Sequence, residues 1–196
     1  MQSKNVKIKE VLDTSSTKEE QIDVLDKEGN FTGIKKSKSK IHKSGDWHRS
    51  AHIWLMNSKK ELLIQRRSPL KVNYPNFWDI SAAGHISAGE NSKIGAIREI
   101  EEELGLGILP EELQFLGSFH EQDILNNGAY IDNEIDDVYL ICRDVEINQL
   151  VIQKEEVDEV KWISYLDLEK DIQKNTNKYV DHSEQYRALF NKLKMI

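Results

Sequence analysis

The 196-residue chain is short of the residues that would staple or divide it. It carries a single cysteine, Cys142, which excludes an internal disulfide framework and a multi-cysteine zinc site. Only three prolines occur, and no Pro- or Gly-rich linker interrupts the chain, so one domain with an N-terminal extension is expected. No apolar run approaches the length of a membrane span, and the N-terminus lacks the apolar core of a signal peptide. A cytoplasmic protein without a membrane partner is the default reading. Positive charge is also in deficit: the net charge is −7 and no basic patch stands out. That speaks against a nucleic-acid polymer as partner, and an anionic small molecule would need a local cation to bring it in. What remains, 38% hydrophobic and 31% charged residues, is the profile of a soluble globular protein.

Residues 1 to 18 are polar and aperiodic, and read as a flexible lead-in. The stretch "QIDVLDKEGNFTGIKK" reads as strand, turn, strand, with Asp26 to Gly29 as the turn, and places an N-terminal β-hairpin extension over 19–46. Residues 47–196 form the main domain. Within it, 48–57 and 61–67 flank a polar turn, 76–84 ends as a strand, and 113–123, 135–143 and 157–164 are further strand candidates. Helices are expected from Tyr165 onward and around 182–194. Cys142, inside the apolar run "VYLIC", reads as a core residue.

The most telling stretch is "GHISAGENSKIGAIREIEEELGLGI", residues 84 to 108. Residues 92–104 lack proline and end at Gly105, a suitable residue to stop a helix. At about 100° per residue, Ile94, Ile97, Ile100 and Leu104 share one broad face. Glu99, Glu102 and Glu103 stand at i, i+3 and i+4, so their carboxylates converge on the opposite face. A solvated acidic face is the plain alternative. Against it, no lysine occupies the i+4 positions that would relieve the repulsion, and the acids lie near the helix C-terminus, where the macrodipole disfavours them. A divalent cation answers both costs, and hard carboxylate oxygens suit Mg²⁺ or Mn²⁺ bridged to phosphate oxygens.

Gly84, five residues, Glu90, seven residues, then Arg98-Glu99-Ile100-Glu101-Glu102-Glu103-Leu104-Gly105-Leu106 resembles the complete Nudix box. The resemblance implies an α+β fold, an α/β/α sandwich with a mixed central sheet, and a loop–helix–loop that binds divalent metal and a diphosphate. It implies Glu99, Glu102 and Glu103 as metal ligands or, for one of them, the base that orients water, with Gly84 offering its carbonyl. Arg98 and Glu90 look structural, an ion pair bracing the loop against the helix. The chemistry implied is hydrolysis of a diphosphate bond in a nucleoside diphosphate or nucleoside-diphosphate-linked small molecule, and the assembly it leaves room for is a homodimer.

The flanks "HRSAHIWLMNSKKELLIQRRS" and "KVNYPNFWDISAAGH" resemble the Nudix branch related to isopentenyl-diphosphate isomerase. In that isomerase a cysteine precedes the position of Gly84; here it is Ala83, which can supply neither proton nor lone pair, so isomerisation is disfavoured. "IDNEIDD" (131–137) resembles the isomerase's acidic stretch, with Glu134 at the matching place. Glu134 is therefore expected to complete the metal site, with Asp132 and Asp136 as substitutes. His42, His48 and His85 with Asp132 and Glu134 resemble that enzyme's His-rich metal site, but the His42–His48 spacing departs from it by about one residue. Ordinary buried histidines are the preferred reading, His48 and His52 sharing one side of a strand. His120 and His182 have no evident companions. Arg66 and Arg67 alternate on a strand end, and Arg66, Lys71 and Tyr74 are the candidates for holding substrate. Phe77 and Trp78 would wall the pocket or enter the core. A non-catalytic ligand-sensing module is the third alternative; such modules commonly lose box acids, and here all are intact.

Overall fold

The structure, a computed structural model, describes residues 19–195; the lead-in expected over residues 1–18 lies outside the described residues. The chain forms β1 (Gln21–Leu25), β2 (Phe31–Ser37), α1 (Lys38–Ser44), β3 (Trp47–Met56), β4 (Glu61–Arg67), β5 (Trp78–Asp79) and β6 (Ala82–His85). It continues with α2 (Ser92–Leu104), β7 (Gln114–Leu125), β8 (Tyr130–Cys142), β9 (Val157–Ser164), α3 (Tyr165–Lys174) and α4 (Ser183–Leu193). All nine strands join one mixed sheet centred on β3, which pairs antiparallel with β1, β4 and β6 and parallel with β8.

Alternation along β3 builds the two layers. Ala51, Ile53 and Leu55 face a core shared with Ala96, Ile100 and Leu104 of α2. Trp54 and Met56 face the opposite core, with Leu168 of α3 and Leu189 and Phe190 of α4. The sheet is thus sandwiched between α2 and the C-terminal helices, as the Nudix resemblance implies. The even-numbered residues nearer the start of β3, His48, Ser50 and His52, lie on the α4 side. The parallel register sets His48 beside Glu134 and Ser50 beside Asp136, so a polar strip crosses two strands on one face.

Several expectations change. Residues 76–84 form two short strands with different partners, since β5 pairs β4 and β6 pairs β3. β8 starts at Tyr130, so the acidic stretch 131–137 is strand, with Asp132, Glu134 and Asp136 alternating onto one side. A short helix, α1, separates the N-terminal hairpin from β3 and carries buried His42. Cys142 is exposed at the end of β8 instead of buried, because the apolar alternation stops there.

Candidate functional site

α2 begins where the Asn91 side chain accepts a hydrogen bond from Ile94 N and ends at Gly105 in the left-handed conformation, φ 64°. Its buried arc is rotated from the one expected. Gly95, Ala96, Glu99, Ile100, Glu103 and Leu104 are buried, while Ile94 is 53% exposed. Glu99 and Glu103 therefore point inward, and only Glu102 remains at the solvent edge. The three acids do not form one exposed patch.

Gly84 explains how Glu99 fits. A Cβ built at Gly84 would overlap the Glu99 carboxyl group, so only glycine lets the helix bring that carboxylate against β6. Arg98 braces the arrangement. Its Nη1 reaches Glu99 Oε1 at 2.5 Å and Glu102 Oε2 at 3.3 Å, while Nη2 donates to Glu90 Oε2 at 3.1 Å and to His85 O at 2.8 Å. Glu103 is held by Gln65 Nε2 at 2.9 Å and by Ala83 N at 3.3 Å. Burial, with Arg98 in opposition, pushes Glu99 up to about 6. Burial, with the Glu99 charge adding to it, pushes Glu103 up to about 8. Two buried acids this reluctant to ionise suit a cation as partner.

His85, the next residue after Gly84, opens a second donor set. His42 Nδ1 stands 3.1 Å from Asp132 Oδ1, and His48 Nε2 stands 3.7 Å from the same oxygen. Glu134 Oε1 lies 3.3 Å from His48 Nε2 and 3.4 Å from His85 Nε2. Ligand atoms of His42, His48, His85 and Asp132 all lie within 4.8 Å of one another. The reading of ordinary buried histidines does not account for this grouping: His42 Nδ1, His48 Nε2 and Asp132 Oδ1 are buried without a hydrogen-bond partner. His48 Nδ1 lies 3.0 Å from the Asp46 carbonyl, which fixes that nitrogen as the protonated one and leaves Nε2 its lone pair. Burial also holds His48 below, and His85 well below, the usual imidazole range, which favours the neutral form of both. Glu134, expected with the box acids, stands instead among these histidines. Burial pushes it well above the usual carboxylate range, and the neighbouring Asp132 and Asp136 charges add to the shift.

The α2 carboxylates and, of the second set, His85, Asp132 and Glu134 line one cavity of about 750 Å³. Lys71 and Tyr74 line it, Lys71 paired with Glu156 and Tyr74 Oη donating to Asp123 Oδ2 at 2.7 Å. Arg66 does not; it turns to Asp158 at 2.5 Å and Glu159 at 2.9 Å, and its neighbour Arg67 lines the cavity, paired with Asp79 at 2.9 Å. Phe77 and Trp78 are not among the lining residues, and Trp78 carries Lys161 Nζ over its ring at 3.9 Å. His182 was missed. It bridges Asp79 at 3.0 Å and Glu121 at 2.9 Å. Burial opposes its charge, but those two carboxylates outweigh it and hold the ring well above its usual range, as a buried imidazolium.

Protons and cations compete for Glu99 and Glu103. Affinity for Mn²⁺ is expected to rise from pH 6 to pH 8.5 and level off above the Glu103 value of about 8, as its proton ceases to need displacing. Calorimetric titrations at both pH values check this; equal affinities contradict the buried-carboxylate site.

A profile of the NUDIX domain family matches residues 46–185. Nudix hydrolase 3 of Arabidopsis thaliana is 40% identical over 177 residues, covering 88% of this chain; the chain spans 23% of that relative's length. An isopentenyl-diphosphate Delta-isomerase of Aliivibrio fischeri is 27% identical over 164 residues, covering 82% of this chain and 88% of the isomerase. Among solved structures, the Deinococcus radiodurans protein DR0079 superposes with a TM-score of 0.68 at 23% identity, over 86% of this chain and 98% of that one, a likeness of fold.

Proposed function

The chain belongs to the Nudix family of hydrolases, and on that premise we propose that it hydrolyses the diphosphate bond of a nucleoside diphosphate or a related diphosphate-linked small molecule with Mg²⁺ or Mn²⁺. The observation that carries the reading is the pair of buried carboxylates, Glu99 and Glu103, packed against β6, with space for Glu99 made by Gly84. Glu99, Glu102, Glu103 and the Gly84 carbonyl would hold the cation. Such a cation would neutralise charge on the diphosphate oxygens and lower the pKa of a water so that, on losing a proton, it can attack phosphorus. Burial raises the affinity of the Glu103 carboxylate for a proton, so once a cation has displaced the one it carries, it is suited to take the proton from the attacking water. Lys38, Arg67, Lys71 and Arg98 bring to a largely acidic cavity the positive charge needed to admit an anion, and Tyr74 lines it with them. Glu134, with His42, His48, His85 and Asp132, would hold a further ion beside the first.

The histidine cluster and the relatives named as isomerases favour a second reading, interconversion of isopentenyl and dimethylallyl diphosphates. Ala83 opposes it. The register places Ala83 beside His52 on the cavity side of the sheet, where its methyl group is only wall. Purified protein with Mg²⁺ and isopentenyl diphosphate is expected to show no dimethylallyl product by ³¹P and ¹H NMR. Formation of that product would overturn the hydrolase reading.

A further inference from the structure

Deeper on the α4 side of the sheet lies a polar cluster that the carboxylate site does not use. Gln185 of α4, fully buried, organises it. Its amide nitrogen Nε2 donates to Glu121 Oε1 at 2.7 Å and to Asp136 Oδ2 at 2.8 Å. With the nitrogen committed to two carboxylates, the amide oxygen Oε1 faces His52 Nδ1 at 2.9 Å. An acceptor at that place obliges His52 to carry its proton on Nδ1, which leaves the lone pair of the neutral ring on Nε2. That nitrogen stands 3.7 Å from Asp136 Oδ1, beyond hydrogen-bond reach. It, one oxygen of Asp136 and one of Glu134 all lie within 4.8 Å of one another.

Three electron-rich atoms thus converge in a buried place, and a positive centre among them removes the repulsion. The supporting contacts are those a metal site requires. His52 gives its outer N–H to an amide oxygen, and Asp136 is oriented by Ser50 Oγ and Gln185. Glu134 is shared with the histidine cluster, whose His48 and His85 it already approaches.

We propose that His52, Asp136 and Glu134 hold a third divalent cation, beyond those at the α2 carboxylates and the histidine cluster, and that the Glu134 carboxylate bridges it to the ion held by His42, His48, His85 and Asp132. The bridge rests on the histidine cluster's binding metal. One imidazole and two carboxylates suit Zn²⁺ or Mn²⁺, and three protein ligands leave coordination positions open for an oxygen of a phosphate in the cavity.

Anomalous scattering from crystals soaked in Zn²⁺ tests the proposal by position. Two peaks on either side of Glu134 are expected in the unmodified protein. His52→Asn is expected to lose the inner peak and keep the one at His42, His48 and His85. In solution, competition against a chromophoric chelator should show one Zn²⁺ equivalent fewer for His52→Asn and for Asp136→Asn, with circular dichroism unchanged. A peak at the outer cluster with none beside His52 overturns the inner ion and leaves the outer reading standing. No peak at either place overturns both. An unchanged Zn²⁺ count in folded His52→Asn overturns the role of His52.

Discussion

Replacing Glu103 with Gln is expected to lower turnover by about three orders of magnitude or more, close to 4 kcal/mol of transition-state stabilisation. Gln keeps the size of the side chain, and with it the packing against Gln65 and Ala83 N. What it removes is the charge that holds a cation against a diphosphate and the carboxylate that accepts a proton. The contrast with Glu102 gives the prediction its edge. The Glu102 side chain is 54% exposed and would hold the cation only from its solvent side, where water can replace it as a ligand, so Glu102→Gln is expected to cost about tenfold. Steady-state rates under saturating Mg²⁺, with melting temperatures alongside, separate the two. Near-unmodified turnover in Glu103→Gln would remove that residue from the site.

Gly84→Ala is expected to cost at least about a hundredfold in activity, although alanine is no obstacle to a β-strand. The added methyl would occupy the place of the Glu99 carboxylate, which is already held by Arg98 and has nowhere to go but outward. The loss is one of position, and displacements on the order of 1 Å near reacting groups carry penalties of this size. Because the sheet register does not depend on this side chain, circular dichroism should be unchanged while Mn²⁺ affinity falls in parallel with activity. Full activity in Gly84→Ala would mean that Glu99 does not need to lie against β6.

Local features were legible in the sequence. The extent of α2 follows from the proline-free stretch 92–104 and Gly105, and the hairpin at Asp26–Gly29 from its turn residues. The box acids follow from their spacing. What escaped is non-local. That His48 lies beside Glu134 depends on parallel pairing between residues 86 positions apart, and no local pattern reports a parallel register. Period-2 alternation of Asp132, Glu134 and Asp136 was there to be read once 131–137 is taken as strand. Arg66 and Arg67 show the same limit: alternation sends them to opposite faces, but which face meets the cavity is set by β9, with a register irregularity between these two residues. The rotation of α2 escaped for a related reason. A hydrophobic-face argument assumes that glutamates stay in water, and here two of them are buried, Glu99 against Gly84 and Glu103 against Gln65. His182 looked isolated because its partners, Asp79 and Glu121, come from distant strands.

The central claim, cation-dependent hydrolysis of a diphosphate, is tested most directly by incubating metal-free protein with nucleoside diphosphates, dinucleotides, nucleotide sugars and isoprenoid diphosphates in H₂¹⁸O, with and without Mg²⁺. Products are read by ³¹P NMR and mass spectrometry. The account predicts that at least one substrate gives a monophosphate product carrying a single ¹⁸O, that Mg²⁺ is required, and that Glu103→Gln abolishes it. No cleavage of any member of the panel, or cleavage unaffected by removing Mg²⁺ and Mn²⁺, would contradict it.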